Sequence, residues 1–139
     1  ESKLESFNNL FSYVSKELYG ESYLLTYEIA EYRGKNLYKF SSYNMNKVLE
    51  KNKGNSFFDI AYILYARQEN IPHFDFLLND KKELLHGNQL EKVANFVKKN
   101  KIQFVLTILK DKLPSSLVNN DNIILELSQN DKLFRIESD

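Results

Sequence analysis

The residues predict an α/β fold: a mixed sheet that contains a βαβ unit and is flanked by helices and antiparallel hairpins. Three observations carry that expectation. Apolar runs at 73–79 (HFDFLLN) and 102–109 (IQFVLTIL) bracket an amphipathic stretch at 88–99; strand, helix, strand in that order makes the two strands parallel neighbours with a right-handed crossover. Two aromatic-rich runs, 22–29 and 37–43, flank the turn residues Tyr32-Arg33-Gly34-Lys35-Asn36, the pattern of an antiparallel hairpin. Residues 3–19 and 56–69 carry helical patterns.

The first helix is read from Leu4, Phe7, Phe11, Val14 and Leu18, spaced alternately three and four apart in the rhythm of a coiled-coil seam. The same stripe suits an ordinary helix docked on a sheet, or the root of a coiled coil entering from upstream. Gly20 ends it as a C′ residue. After the hairpin, residues 44–55 are polar and lysine-rich and read as a loop with one short helical turn around Lys47–Glu50. Residues 56–69 (SFFDIAYILYARQE) are apolar almost all round, which marks a buried helix, capped by Asn55 or Ser56 with Asp59 in its first turn. The run 73–79 reads as a mostly buried strand ending at Asn79-Asp80. Asn88 and Glu91 have the spacing of a capping box, and Leu90, Val93, Ala94 and Val97 form the inner face of that helix. Lys110 to Asp121 is a loop containing Pro114. The segments 123–128 and 132–137 read as a closing hairpin around Gln129-Asn130-Asp131.

Composition narrows the function. The 139 residues suffice for one domain. With no cysteine, disulfides and thiolate zinc sites are excluded, which fits a reducing, cytoplasmic setting. Lys+Arg and Asp+Glu balance at 19 each, so net charge gives no support for a general nucleic-acid grip. No apolar run reaches the roughly 18–20 residues of a membrane helix, and the N-terminus lacks the basic-then-apolar layout of a signal peptide. The start at Glu1 is read as that of a piece of a longer protein.

Catalytic signatures are sparse. Gly34-Lys35 lacks the preceding glycine of a P-loop, and neither GxGxxG nor GxSxG occurs. His73 and His86 are too few for a histidine metal cluster and read as surface histidines. The positive signal is Asp80, an acid delivered at the carboxyl tip of an apolar strand. Ligands of open α/β sheets gather at those tips, and an Asp there can hold Mg²⁺ through water. Asp also suits turns, so a purely local role stands beside that reading.

The order of elements, with Lys51-Asn52-Lys53-Gly54-Asn55-Ser56 before a buried helix and Phe76-Leu77-Leu78-Asn79-Asp80 after it, resembles the C-terminal lobe of the ABC-type ATPase head of SMC- and RecN-like coiled-coil proteins. More closely, it resembles a bacterial SMC-like group of unknown function. The resemblance covers residues 50–115 best and implies roles residue by residue. Lys53, Gly54, Asn55 and Ser56 lie where a signature loop meets the γ-phosphate of ATP on a second head, without the usual Leu-Ser-Gly-Gly run. Asp80 takes the Walker-B metal position. Lys81 stands where a catalytic Glu belongs, with Glu83 two residues on as the nearest substitute. Asn88 follows Gly87 at the dimer-contacting loop, and Asp111 or Lys110 stands where a histidine would touch the γ-phosphate. The resemblance implies that an N-terminal P-loop half is a partner, that a second head forms a homodimer, and that DNA is the downstream substrate. ATP and Mg²⁺ are expected only in the complete head and not in this fragment, and no membrane is expected. These departures imply slow or absent hydrolysis.

Two rivals remain. One is a non-catalytic α/β interaction module of phage or mobile-element type, docking through the stripe of the first helix. The other is a magnesium-dependent nuclease or phosphatase using Asp75, Asp80 and Glu83. In that case Asp75 and Asp80, five apart on one strand, face opposite sides.

Overall fold

The computed structural model of the chain describes residues 2–52, 57–79, 87–119 and 121–128. Helix α1 (Lys3–Tyr19) opens on a capping box: the Ser2 hydroxyl accepts from the Glu5 amide at 3.2 Å, and Glu5 accepts from the Ser2 amide at 3.4 Å. It stops at Gly20, whose φ of 77° is the left-handed conformation a C′ residue needs. Phe7, Phe11, Val14 and Leu18 are buried as the stripe requires. Their cover is this domain's own α2, β1 and α3, so the stripe is taken up by the core.

Strands β1 (Tyr23–Tyr32) and β2 (Lys35–Asn44) form the expected hairpin, and both run further toward the turn than the sequence pattern suggests. Arg33 and Gly34 both have positive φ, 52° and 73°, the signature of a type I′ turn, whose twist matches the strands it joins. The loop expected at 44–55 is in part a third strand, β3 (Lys47–Asn52), paired antiparallel to β2 across a register shift at Tyr43/Asn44. Its polar composition hides it, because pairing along an edge needs only backbone groups. Asn44, fully buried beside that shift, donates to Glu21 at 2.6 Å and accepts from the Asn46 amide at 2.8 Å.

Helix α2 (Phe58–Gln68) starts later than expected. Phe57 is its N-cap and brings no side-chain acceptor, so the expected Asn55 or Ser56 cap is not the one used. Strand β4 (Phe76–Asn79), helix α3 (Gly87–Lys99) and strand β5 (Gln103–Leu106) form the expected βαβ unit, with β4 and β5 parallel. Because α3 begins at Gly87, Asn88 lies inside its first turn rather than capping it. The inner face of α3 is Leu90, Val93, Phe96 and Val97. Two single-turn 3-10 helices follow, η1 (Lys110–Lys112) and η2 (Ser115–Leu117).

The class is therefore α/β, with an antiparallel hairpin and a parallel strand pair. Among the described residues the strands lie in two sheets, β1-β2-β3 and β4-β5, rather than in one mixed sheet. Residues 123–128 join no ladder there, and their expected partner 132–137 lies outside the described residues. One apolar core joins α1, α2, α3 and the base of β1. In it Phe7 meets Phe11, Phe58 and Tyr65 at ring-centroid distances of 5.7, 5.2 and 5.7 Å.

Candidate functional site

The parallel pair defines where a ligand-facing end is. β4 ends at Asn79 opposite Leu106, the last residue of β5, and the Asn79 carbonyl accepts from the Thr107 amide at 3.3 Å. A βαβ connection returns its helix to the same edge, so the first turn of α3 belongs to this carboxyl end. The segment after β5 stays close: the Ser116 hydroxyl on η2 donates to Glu91 in α3.

Of the expected site residues, Asn88 and Asp111 are described, and both are exposed. Asn88 stands in the first turn of α3, and Asp111 in η1 beside Lys112 at 3.8 Å. No bond links them among the described residues. Lys110 is engaged with Glu126 at 2.6 Å. Asp80, Lys81 and Glu83 lie outside the described residues, as do Lys53, Gly54, Asn55 and Ser56; Asp80 is the residue that follows Asn79 in the chain. Among the described residues no cluster of three or more His, Asp or Glu is arranged to hold a metal, and no helix is long and apolar enough to cross a membrane.

Asp75 serves a different purpose from the one the nuclease reading gives it. It precedes β4 at the amino end, away from Asn79, and its carbonyl accepts from the Gln103 amide at 2.8 Å. Its carboxylate accepts from Arg67 Nε at 3.0 Å and lies 3.0 Å from His73 Nε2. Arg67 Nη1 and Nη2 donate to the carbonyls of Asn100 and Lys101 at 2.6 and 3.1 Å. This tie between α2 and the α3–β5 corner went unseen in the sequence because Arg67 and Asn100 are 33 positions apart and no local pattern links them.

The Arg67 hydrogen bond, against an opposing desolvation and with the Arg67 charge and His73 adding to it, holds the Asp75 carboxyl below its ordinary 3.8. A carboxylate with a depressed folded-state pKa stabilises the fold fully above the ordinary value, and that contribution is lost as pH falls through the lowered one. Wild type should therefore exceed Asp75→Asn in urea midpoint at neutral pH. The gap should begin to narrow only in acid, near pH 3.8, and close once the pH is below the lowered value, where both carry a neutral side chain. A gap that persisted unchanged in strong acid would mean that the carboxylate charge is not what Arg67 recognises.

The sequence matches, over residues 14–138, the model of a family described as an uncharacterised protein conserved in bacteria, DUF2326. The chain belongs to this family. No curated protein matches it. Among solved structures it is similar to the Smc head domain with a coiled coil and joint from Pyrococcus yayanosii, at 21% identity and a TM-score of 0.50, over 79% of this chain and 23% of that one. It is also similar to the Smc head domain with an extended coiled coil bound to the C-terminal domain of ScpA, from Pyrococcus furiosus, at 19% identity and a TM-score of 0.49, over 78% of this chain and 29% of that one. At such identity the likeness is one of fold. The DUF2326 chain spans less than a third of the Smc head chains it matches.

Proposed function

We propose that this DUF2326 chain is the C-terminal lobe of an SMC-like ATPase head, which completes a nucleotide site and a head–head interface together with an N-terminal half bearing a P-loop. The observation that carries this reading is the incompleteness of the β4–β5 sheet. Parallel sheets are covered on both faces and have more than two strands. Here two parallel strands stand alone among the described residues, with Phe76 and Leu78 43% and 73% exposed and Phe74 beside them. Further strands added beside this pair, with the crossover helices that come with them, would cover those side chains. They would also set a phosphate-binding loop at the end of the sheet where the chain continues from Asn79 into Asp80. The fold likeness to the Pyrococcus yayanosii Smc head supports the same reading.

On this reading Asp80 holds Mg²⁺ through water. The amides at the start of α2, behind Lys53, Gly54, Asn55 and Ser56, offer the positive helix end to the γ-phosphate of ATP on a second head. Asn88 faces that second head, and Asp111 lines the site beside β5. Lys81 cannot polarise an attacking water as a carboxylate does, so hydrolysis is slow or absent unless Glu83 reaches in. Any coiled coil joins upstream of α1, since the α1 stripe is already covered. DNA is the expected substrate of the clamp.

The test is ATP turnover and ATP-dependent dimerisation of the full-length protein containing this chain, alongside its Asp80→Asn variant. Turnover abolished by Asp80→Asn supports a working head. Dimerisation by ATP without turnover, weakened by Asp80→Asn, supports a nucleotide clamp. No response of either property to ATP overturns the head and leaves the non-catalytic interaction module in its place. So does tight ATP binding by residues 1–139 alone, which lack a P-loop.

A further inference from the structure

The hairpin carries an open strand edge whose pattern is complementary to itself. The two-residue turn makes Tyr32 and Lys35 a hydrogen-bonded pair, and antiparallel ladders alternate. The even residues of β1 therefore bond to β2, and the odd ones point their N–H and C=O groups away from it. At the base of the strand α1 satisfies the outward groups: Ser15 accepts from the Tyr23 amide at 2.9 Å. Asn8 accepts from the Leu25 amide at 2.7 Å and donates to the Leu25 carbonyl at 2.9 Å. Past the end of α1, the outward groups of Tyr27, Ile29 and Glu31 have no backbone partner among the described residues.

The same stretch is apolar and exposed. Ile29, Tyr38 and Phe40 are each close to 60% accessible. Tyr27, Tyr38 and Phe40 wall a groove of about 500 Å³ that is closed on its other side by Lys3, Leu4 and Tyr62. A long, exposed, apolar edge of this kind invites a further strand.

We propose that this edge pairs with the β1 edge of a second copy of the chain, antiparallel and centred on Ile29, giving a six-stranded sheet across a twofold axis. The register follows by elimination. Centring on Glu28 or Glu31 opposes two carboxylates, which is destabilising. Centring on Ala30 brings only Ile29 and Glu31 into the new ladder, and centring on Tyr27 runs into the Leu25 groups that Asn8 already holds. Centring on Ile29 uses all three open residues. Ile29 then opposes Ile29 of the second copy, and Glu31 opposes Tyr27. Directly opposed side chains fall on the same face of a sheet, so the two apolar grooves become continuous. Charge fits as well. Lys3 and Tyr27 line the same groove, and Glu31 of the second copy, opposite Tyr27, is carried to that groove. Glu31 of each copy is thus paired with Lys3 of the other, an interaction that the twofold axis makes twice. This contact needs no nucleotide and is separate from one sandwiched around ATP.

The experiment is sedimentation equilibrium of the intact protein in nucleotide-free buffer, comparing wild type with Glu31→Lys, Lys3→Glu and the double reversal. Both sites are on the surface, so the fold tolerates the changes. Each single reversal puts like charges together twice and should weaken self-association about tenfold or more, and the double reversal should restore it. A cysteine-free chain also permits a direct readout. Ile29→Cys should cross-link between copies with a short bis-maleimide, because the two positions face each other over the axis. A protein that stays monomeric overturns the proposal. So does self-association that all three charge variants leave unchanged, or a double reversal that weakens it further. Edge pairing with an unlike protein in place of a second copy overturns it too.

Discussion

Phe11→Ala is expected to lower the stability of the chain by about 3–5 kcal/mol, the usual cost of emptying a phenylalanine site in a packed core. Phe11 is wholly inaccessible and stacks on Phe7, which in turn meets Phe58 and Tyr65 of α2. Among the described residues, helix α1 packs on α2, β1 and α3. A hole at its centre is therefore lined by groups from several elements, and collapse of any one of them leaves the others strained. A loss of that size is a large share of the 5–15 kcal/mol that holds a domain of this kind together. Urea unfolding should show a lower midpoint with an unchanged slope. Tyr13→Ala, on the 45% exposed side of the same helix, is the control and should cost far less. Equal losses at the two positions would mean that α1 contributes helix propensity rather than core.

The fold was legible where one local rule sufficed. The α1 stripe, the Gly20 stop, the Arg33-Gly34 turn and the apolar–amphipathic–apolar run of the βαβ unit each rest on spacing or on a residue with special backbone freedom. Strand β3 was not legible, because Lys47–Asn52 is polar and becomes a strand only by pairing along β2. β4 was read as mostly buried, yet Leu78 is 73% exposed. An apolar run reports that a strand requires cover, and the chain that supplies the cover need not be the same one. The run at 123–128 shows the same limit, with Ile124 80% exposed and no ladder among the described residues. For the site, the sequence indicates which end of β4 carries an acid. Asn88 and Asp111 are exposed in the elements that flank that end, while the acid itself lies outside the described residues. The apolar edge of β1 escaped notice because alternation shows which face a side chain takes, not which backbone groups α1 leaves open.

Arg67→Met should cost about 2–3 kcal/mol, through unmade charge-assisted hydrogen bonds rather than lost volume. The guanidinium is the fork that fastens the end of α2 to the α3–β5 corner, with two backbone carbonyls on one side and Asp75 on the other. The Asn100 carbonyl, partly buried and bonded at 2.6 Å, contributes most. The Asp75 arm is open to water and adds little. Methionine keeps the unbranched apolar stem and removes every donor, so the carbonyls lose their partner while the packing of the stem stays. Lysine should recover only part of the loss, since an ammonium is a point charge and cannot hold two carbonyls and a carboxylate in one plane. The fork ties α2 to the βαβ unit alone, so its removal should act locally before it acts globally. Hydrogen exchange at the amides of Ile102 and Gln103, which bond to Val97 and Asp75, should quicken in Arg67→Met, while exchange in α1 and at the base of β1 holds. Uniform acceleration across both sheets would show that the βαβ unit has no opening mode of its own. An unchanged urea midpoint would show that water replaces the fork at no cost.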